Sequence, residues 1–292
     1  MEAFDRIGLA VHPRRELESA LATVREWAER QDAEIVQVTG GDRAIAPRGS
    51  AAECDLVIAL GGDGTALAAL HAAAPAGKPV LGVACGSLGA LTATTADRLD
   101  AALTQVAAGE WQPRRLPGLR AERDGNAIDA LNDLVLVRAG AGQVTIEVAV
   151  DGERYVRFSG DGLVIGTPLG STAYNLASGG PMLAPGATGL VLTPLSPHGG
   201  VCPPLVTAAE HGLEVALDPG FGGARVETDG QIRATLEGLE AVTFRLELMP
   251  DFATLVSLGD DESMISGLRR RGIILDSPRV RARERREPAA PY

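Results

Sequence analysis

Apolar and polar positions alternate along the first third of this chain in two rhythms. Residues 7–11 form a short apolar run, and Leu17, Leu21, Val24 and Ala28 then recur at helical spacing. Residues 34–38 and 55–60 predict further strands, the second almost continuously apolar, as a strand buried on both faces of a parallel sheet is. Leu67 and Leu70 start a helix, 79–83 predicts the next strand, and Leu99, Leu103 and Val106 mark another helix. Strand and helix in this succession predict an α/β domain over 1–115. Beyond it the period falls from about 3.6 to 2. Short strands are expected at 131–137, 144–150, 154–158, 190–193, 213–217, 225–228 and 242–246, parted by Gly, Asp and Pro turns. One helix is expected after Gly170. The pattern from 116 to 262 fits an all-β sandwich. The stretch 263–278 carries Ile265, Leu268, Ile273, Ile274 and Leu275, which need burial, whereas 279–292 is rich in Arg and Glu and is expected to be disordered.

Composition narrows the function classes. A chain of 292 residues with 45% hydrophobic residues can bury two cores. Its net charge of -11 disfavours a broad nucleic-acid surface, which needs clustered cations. Cys54, Cys85 and Cys202 are widely spaced, without the pairing of a zinc site, and are expected to be buried thiols in a reducing cytoplasm. No run approaches the roughly 20 apolar residues that span a bilayer. Glu2, Asp5 and Arg6 do not suit a signal peptide. Lys78 is the only lysine and precedes Pro79, which excludes a Walker-type P-loop and the lysine of a protein kinase.

Two glycine-rich turns hold the candidate chemistry. The strand at 55–60 runs directly into Gly61, Gly62, Asp63, Gly64 and Thr65. Residues 161–180 read DGLVIGTPLGSTAYNLASGG. Small residues admit close approach of a ligand to the backbone, and free amides at a helix start favour phosphate. Two such turns suggest two substrates. Each residue also has a plainer role open to it. Asp63 fits an Asp-Gly turn pair, Asn132 and Asp133 an Asx turn at a strand edge, and Asp161 or Thr172 a cap. Tyr174 fits a core aromatic, His198 a structural histidine and Gln231 a hairpin position.

Taken together, GGDGT, the Asn132-Asp133 pair, TPLGSTAY, Pro197-His198 and Asp229-Gly230-Gln231, in this order, resemble the NAD kinase family over most of the chain. The resemblance implies a two-domain fold whose segment 116–262 binds NAD, with 263–278 returning to the first domain. It implies phosphorylation of the adenosine ribose 2'-hydroxyl of NAD to give NADP, with Mg²⁺ and with ATP or polyphosphate as donor. By resemblance Asp63 is the general base, and Gly61, Gly62, Gly64 and Thr65 surround phosphates. Asn132, Asp133, Asp161, Thr172, Ala173, Tyr174, Ala177 and Gln231 bind the dinucleotide, with His198 a further candidate. The family's habit also implies a homodimer or homotetramer through the β domain, and neither membrane nor nucleic acid as partner.

Several positions depart from the family pattern. Ala84 replaces a typical Asn, Ala90 a Phe, Leu169 a Thr, Ala177 a frequent Ser and Pro203 an Arg. Loss of an aromatic wall and an amide is expected to enlarge the pocket and weaken its polarity. Two alternatives follow: a catalytically weak dinucleotide sensor, and a lipid or sugar kinase sharing the GGDGT turn.

Overall fold

The computed structural model describes residues 4–238, 240–259 and 262–284. The first part of the chain forms β1 (Arg6–Val11), α1 (Glu18–Gln31), β2 (Glu34–Thr39), β3 (Leu56–Gly61), α2 (Asp63–Ala73), β4 (Pro79–Ala84), β5 (Thr94–Thr95) and α3 (Leu99–Ala107). Parallel strands in the order β4, β3, β1, β2 build its sheet. Alternate residues of β3 serve opposite faces. Leu56, Ile58 and Leu60 pack with Leu21, Val24, Trp27 and Leu103 of α1 and α3, whereas Val57 and Ala59 pack with Ala66, Ala69 and Leu70 of α2. A sheet covered on both faces explains the continuous apolar run.

The second part begins with β6 (Gln112–Arg123), β7 (Asn126–Ala130), β8 (Asp133–Arg138), β9 (Val144–Val150), β10 (Glu153–Gly160) and β11 (Gly162–Gly166). A 3-10 turn (Gly170–Thr172) and the short α4 (Tyr174–Ala177) follow in place of the full helix expected there. Then come β12 (Leu190–Leu195), β13 (Leu205–Thr207), β14 (Leu213–Asp218), β15 (Ala224–Thr228), β16 (Gln231–Leu236) and β17 (Val242–Ser257). Two sheets face each other as expected of a sandwich. Leu119, Ile146, Val215 and Phe244 on one meet Leu134, Leu136, Leu163, Ile165 and Val226 on the other.

One sheet of the sandwich is continuous with the sheet of the first domain, in the order β10-β9-β14-β17-β4-β3-β1-β2. The joint is β17, whose first half pairs antiparallel with β14 and whose Thr254 and Leu255 pair parallel with Pro79 and Val80 of β4. The chain thus rejoins the first domain within β17, ahead of 263. Along its other edge β17 pairs with β6, a strand where a domain boundary was expected. The four arginines of β6 conceal it from a hydropathy reading. All four are bonded: Arg115 donates to Thr254 Oγ1 at 2.7 Å, Arg120 pairs with Asp129 at 2.8 Å, Arg114 donates to the Ala90 carbonyl at 3.3 Å, and Arg123 pairs with Asp124 at 3.0 Å.

After β17 come α5 (Met264–Arg270) and α6 (Pro278–Glu284). The start of the tail is therefore helical rather than disordered, and 285–292 lie outside the described residues. Leu268 on α5 is buried, while Ile265, Ile273 and Leu275 stay exposed. All three cysteines are free, but only Cys54 is buried; Cys85 and Cys202 are half-buried. No helix among the described residues is long and apolar enough to cross a membrane.

Leu255 is 1% exposed at the joint of the two sheets. Leu255→Ala should cost about 2–5 kcal/mol. Urea unfolding should still show one transition for both domains, because they share β17; two separated transitions would show that the shared strand does not couple them.

Candidate active site

Asp63 is the first residue of α2, directly after β3, at the carboxyl ends of the parallel strands where open α/β sheets bind ligands. Its carboxylate accepts hydrogen bonds from the amides of Ala90 at 3.0 Å and Leu91 at 2.9 Å, and Arg271 stands 3.7 Å away. A β-carbon at Gly89 would collide with Asp63 Oδ1, so glycine there is needed to seat the carboxylate. The side chain nevertheless keeps 39% of its surface exposed. The three glycines of the turn are not equivalent. Gly61 has no room for a β-carbon because Thr65 packs against it, while at Gly64 no neighbour among the described residues lies within 4 Å of that position. Gly62 and Gly64, and not Gly61, line a cleft of about 790 Å³.

That cleft is walled by the turn, by Arg15 after β1, by Gly40 and Gly41 after β2, by His71 on α2, and by Asp229, Gln231 and Arg233 of the β15–β16 hairpin. Arg15 donates to the Cys85 carbonyl at 3.1 Å and Arg233 to Thr228 Oγ1 at 2.6 Å. A second, smaller space of about 70 Å³ is lined by Ala90 and Arg271, both neighbours of the Asp63 carboxylate, and by Arg114, Leu169, Thr172 and Met264 among others. Helix α5 brings Met264 and Arg271 against it, and Arg270 fastens the same loop through the Leu88 carbonyl at 2.8 Å.

The Asn132-Asp133 pair enters β8 on a backbone held by Asp229. The Asp229 carboxylate accepts from the amides of Leu131 at 2.9 Å, Asn132 at 2.6 Å and Asp133 at 3.2 Å, and from His71 Nε2. Burial pushes the Asp229 carboxyl upward, but the His71 hydrogen bond and the amide bonds outweigh it and leave it below the usual carboxylate range. Asp133 moves the other way. Burial first, and the neighbouring Asp229 charge second, raise it to about 7, against the opposing hydrogen bond from the Tyr174 amide.

Ser171 and Asn175 pin the second glycine-rich turn from beneath. Asn175 donates to the Ser171 and Pro181 carbonyls at 2.9 and 2.8 Å and accepts from Thr193 Oγ1 at 2.6 Å. Thr172 does not cap α4, whose N-terminus has no side-chain cap, but faces the small space beside Ala90. Tyr174 is 45% exposed and is not a core residue; Ala173 is half-buried and Ala177 exposed. These residues and Asp133 gather at one end of β8 and β11, where Gly166 pairs with Asp133.

Asp161 and His198 lie elsewhere. Asp161 precedes β11, whose five residues separate it from the second turn by roughly 16 Å at about 3.3 Å per residue. It pairs with Arg138 at 2.6 Å, and that hydrogen bond, aided by Ser196, holds its carboxyl below the ordinary range. His198 is exposed beside it and bonded to Gln143 at 2.5 Å. Within a single chain neither reaches the cleft at Asp63.

Comparison with known proteins decides the family. The profile of the ATP-NAD kinase N-terminal domain matches residues 12–111 and that of the ATP-NAD kinase C-terminal domain residues 131–246. The chain belongs to the NAD kinase family. It is 40% identical over 200 residues to the NAD kinase of Gemmatimonas aurantiaca, covering 65% of this chain and 68% of that one. Identity to the Wolinella succinogenes NAD kinase is 30% over 242 residues, 79% and 83% of the two chains. Yeast NADH kinase, solved with NADH, superposes with a TM-score of 0.76 at 19% identity, over 94% of this chain and 89% of that one. An Archaeoglobus fulgidus NAD kinase solved with ATP superposes at 0.67 and 21% identity, over 92% and 96%. The chain is thus a kinase of the NAD kinase fold, and the lipid- or sugar-kinase alternative is closed.

Several residues of this NAD kinase site escape a reading of the sequence. Nothing marks His71 on its helix, or Arg15 and Arg233, apart from the surplus of arginine over lysine. Asp229 was visible only as part of a turn ahead of Gln231.

The raised Asp133 carboxyl has a consequence for stability. A group whose folded pKa exceeds its unfolded value gives its full stabilisation below the unfolded pKa, about 4, and loses it as the pH rises to about 7. Asp133→Asn should therefore raise the thermal midpoint over wild type by at least about 2 °C at about pH 8, the effect of roughly 1 kcal/mol in a chain of this size. The two proteins should converge at about pH 4; equal midpoints at both pH values would show that Asp133 does not carry the burial penalty.

Proposed function

We propose that Asp63 orients the adenosine ribose 2'-hydroxyl of NAD for attack on the terminal phosphate of a donor, giving NADP. The observation that carries this reading is that Asp63 lines the cleft at the glycine turn while its carboxylate is bonded to the Ala90 amide and stands near Arg271, two residues that line the smaller pocket beside Thr172. The donor, ATP or polyphosphate, fits the larger cleft. Gly62 and Gly64 open the approach to α2, the first amides of a helix have no intrahelical partner, and Arg15 and Arg233 add fixed positive charge. The dinucleotide lies across the second turn, contacting Asn132, Asp133, Thr172, Ala173, Tyr174 and Ala177. Gln231 lines the larger cleft and reaches the ligands from the donor side.

Both Asp63 oxygens already accept an amide, yet each retains a further lone pair for a hydroxyl. Two backbone amides and Arg271 hold the carboxylate in place. Phosphoryl transfer with a loose transition state gains most from positioning, so the orienting role precedes the role as base. Mg²⁺ offsets phosphate charge in such reactions. The described residues contain no group of three or more His, Cys, Asp or Glu side chains suited to a metal ion. Mg²⁺ bound with the donor would take phosphate oxygens and water among its ligands, as is common for this ion.

A homodimer or homotetramer through the β domain is part of the same proposal, supported by exposed Val206 and Ile232 on β13 and β16, at the ends of the six-stranded sheet. Sedimentation velocity showing a monomer would remove it. A cytoplasmic setting rests on the three unpaired thiols.

Asp63→Asn removes the charge and sets an amide donor against the backbone N–H of Ala90 or Leu91. Turnover of NAD to NADP should fall by about 10²–10⁴-fold, while NAD binding remains measurable by calorimetry, since the remaining dinucleotide contacts lie on the second turn. Near-normal turnover would remove Asp63 from the reaction. Dinucleotide binding without turnover in the wild type would favour a sensor.

A further inference from the structure

His71 joins the two halves of the site. It lies eight residues after Asp63 on α2, about 12 Å along the helix at about 1.5 Å per residue. Its Nε2 donates to Asp229 Oδ2 in the second domain. Asp229 is 2% exposed in its side chain and His71 22%, so the contact is shielded from water. The His71 ring is held by Phe252 of β17, edge to face at 6.4 Å. The other bonds of the same carboxylate run to the amides of Leu131, Asn132 and Asp133. The Asp229 amide in turn donates to the Asp133 carbonyl at 3.0 Å, closing the hairpin onto the loop. The loop is tied onward to the second glycine-rich turn. Thr167 Oγ1 donates to the Leu131 carbonyl at 2.5 Å, and the Gly170 amide donates to Thr167 Oγ1 at 3.0 Å.

One buried carboxylate thus links the helix that starts at Asp63 to the backbone that carries Asn132 and Asp133. We propose that His71 and Asp229 form an interdomain latch that sets the dinucleotide loop at a fixed place relative to Asp63. Both are positioning residues. The proposal rests on the kinase reading above for its effect on turnover, but the latch itself can be tested without it.

The lesion that isolates the latch is His71→Leu, which keeps bulk and removes the donor. His71→Gln restores a donor near the position of Nε2. Misplacement of reacting groups by about 1 Å can cost about 10²-fold in rate. In His71→Leu, kcat for NAD phosphorylation should fall by about 10–100-fold on that basis, while the calorimetric dissociation constant for NAD, measured alone, changes by less than about threefold. His71→Gln should recover most of kcat. Hydrogen exchange read by mass spectrometry should show the amides of 131–133 exchanging faster in His71→Leu than in wild type, and near wild type in His71→Gln. Unchanged exchange in His71→Leu overturns the latch, whatever happens to turnover. Faster exchange with unchanged kcat overturns its role in alignment. Loss of kcat that Gln does not recover, with amide protection intact, would make His71 a chemical participant and also overturn the proposal. A wild type that makes no NADP defeats the kinase reading, leaving the exchange result to judge the latch. Asp229→Asn is the harsher variant, since it turns a donor toward three backbone amides, and a lost fold there leaves the His71 series to decide.

Discussion

A carboxylate withdrawn from water must find donors, and the donors that Asp229 finds are the backbone of the binding loop itself. An unpaired buried charge would shift its pKa or move the chain. Three consecutive amides and an imidazole remove that penalty only if the 131–133 backbone takes one particular course. The requirement propagates. Asp133 enters β8 beside a negative neighbour and is pushed toward neutrality, the Tyr174 amide is drawn to Asp133, and the second glycine-rich turn is brought over the loop. The course of the backbone that carries Asn132 and Asp133 thus depends on an aspartate whose side chain is withdrawn from water.

Much of this was legible in the chain, for identifiable reasons. β3 declares itself because both its faces are covered, and the glycine turn after it can only follow a buried strand's carboxyl end. The sandwich strands β9 and β14 alternate cleanly because one face of each is wet. β6 was hidden because its arginines find partners across the sheet, at Thr254 and Asp129, which local hydropathy does not encode. Asp161 shows the limit of motif reading. It stands six residues before Thr167 in sequence, but an extended strand converts that into most of the depth of the domain. His71 was invisible for the opposite reason, since its partner is 158 residues away.

The loop around Ala90 is walled by a segment far along the chain. Met264 of α5 and Arg271 directly after it line the same space as Ala90. That space is small, about 70 Å³. Arg271 also stands 3.7 Å from the Asp63 carboxylate, so the segment that lines the pocket places a cation beside the acceptor. Shape and charge at this corner are therefore set together by a segment far along the chain.

The strand shared between the sheets bears on how the protein can be divided. A fragment ending at Trp111 would retain β1 to β4 in parallel order, but it would lose Thr254 and Leu255 from the edge of β4. Open edges of this kind invite pairing with other chains. In the remaining piece β17 would keep β14 but present Thr254 and Leu255 without β4. The two regions that define the family are thus units of recognition in sequence without being modules in the folded chain, and a swap of either between relatives would have to carry β17 with it.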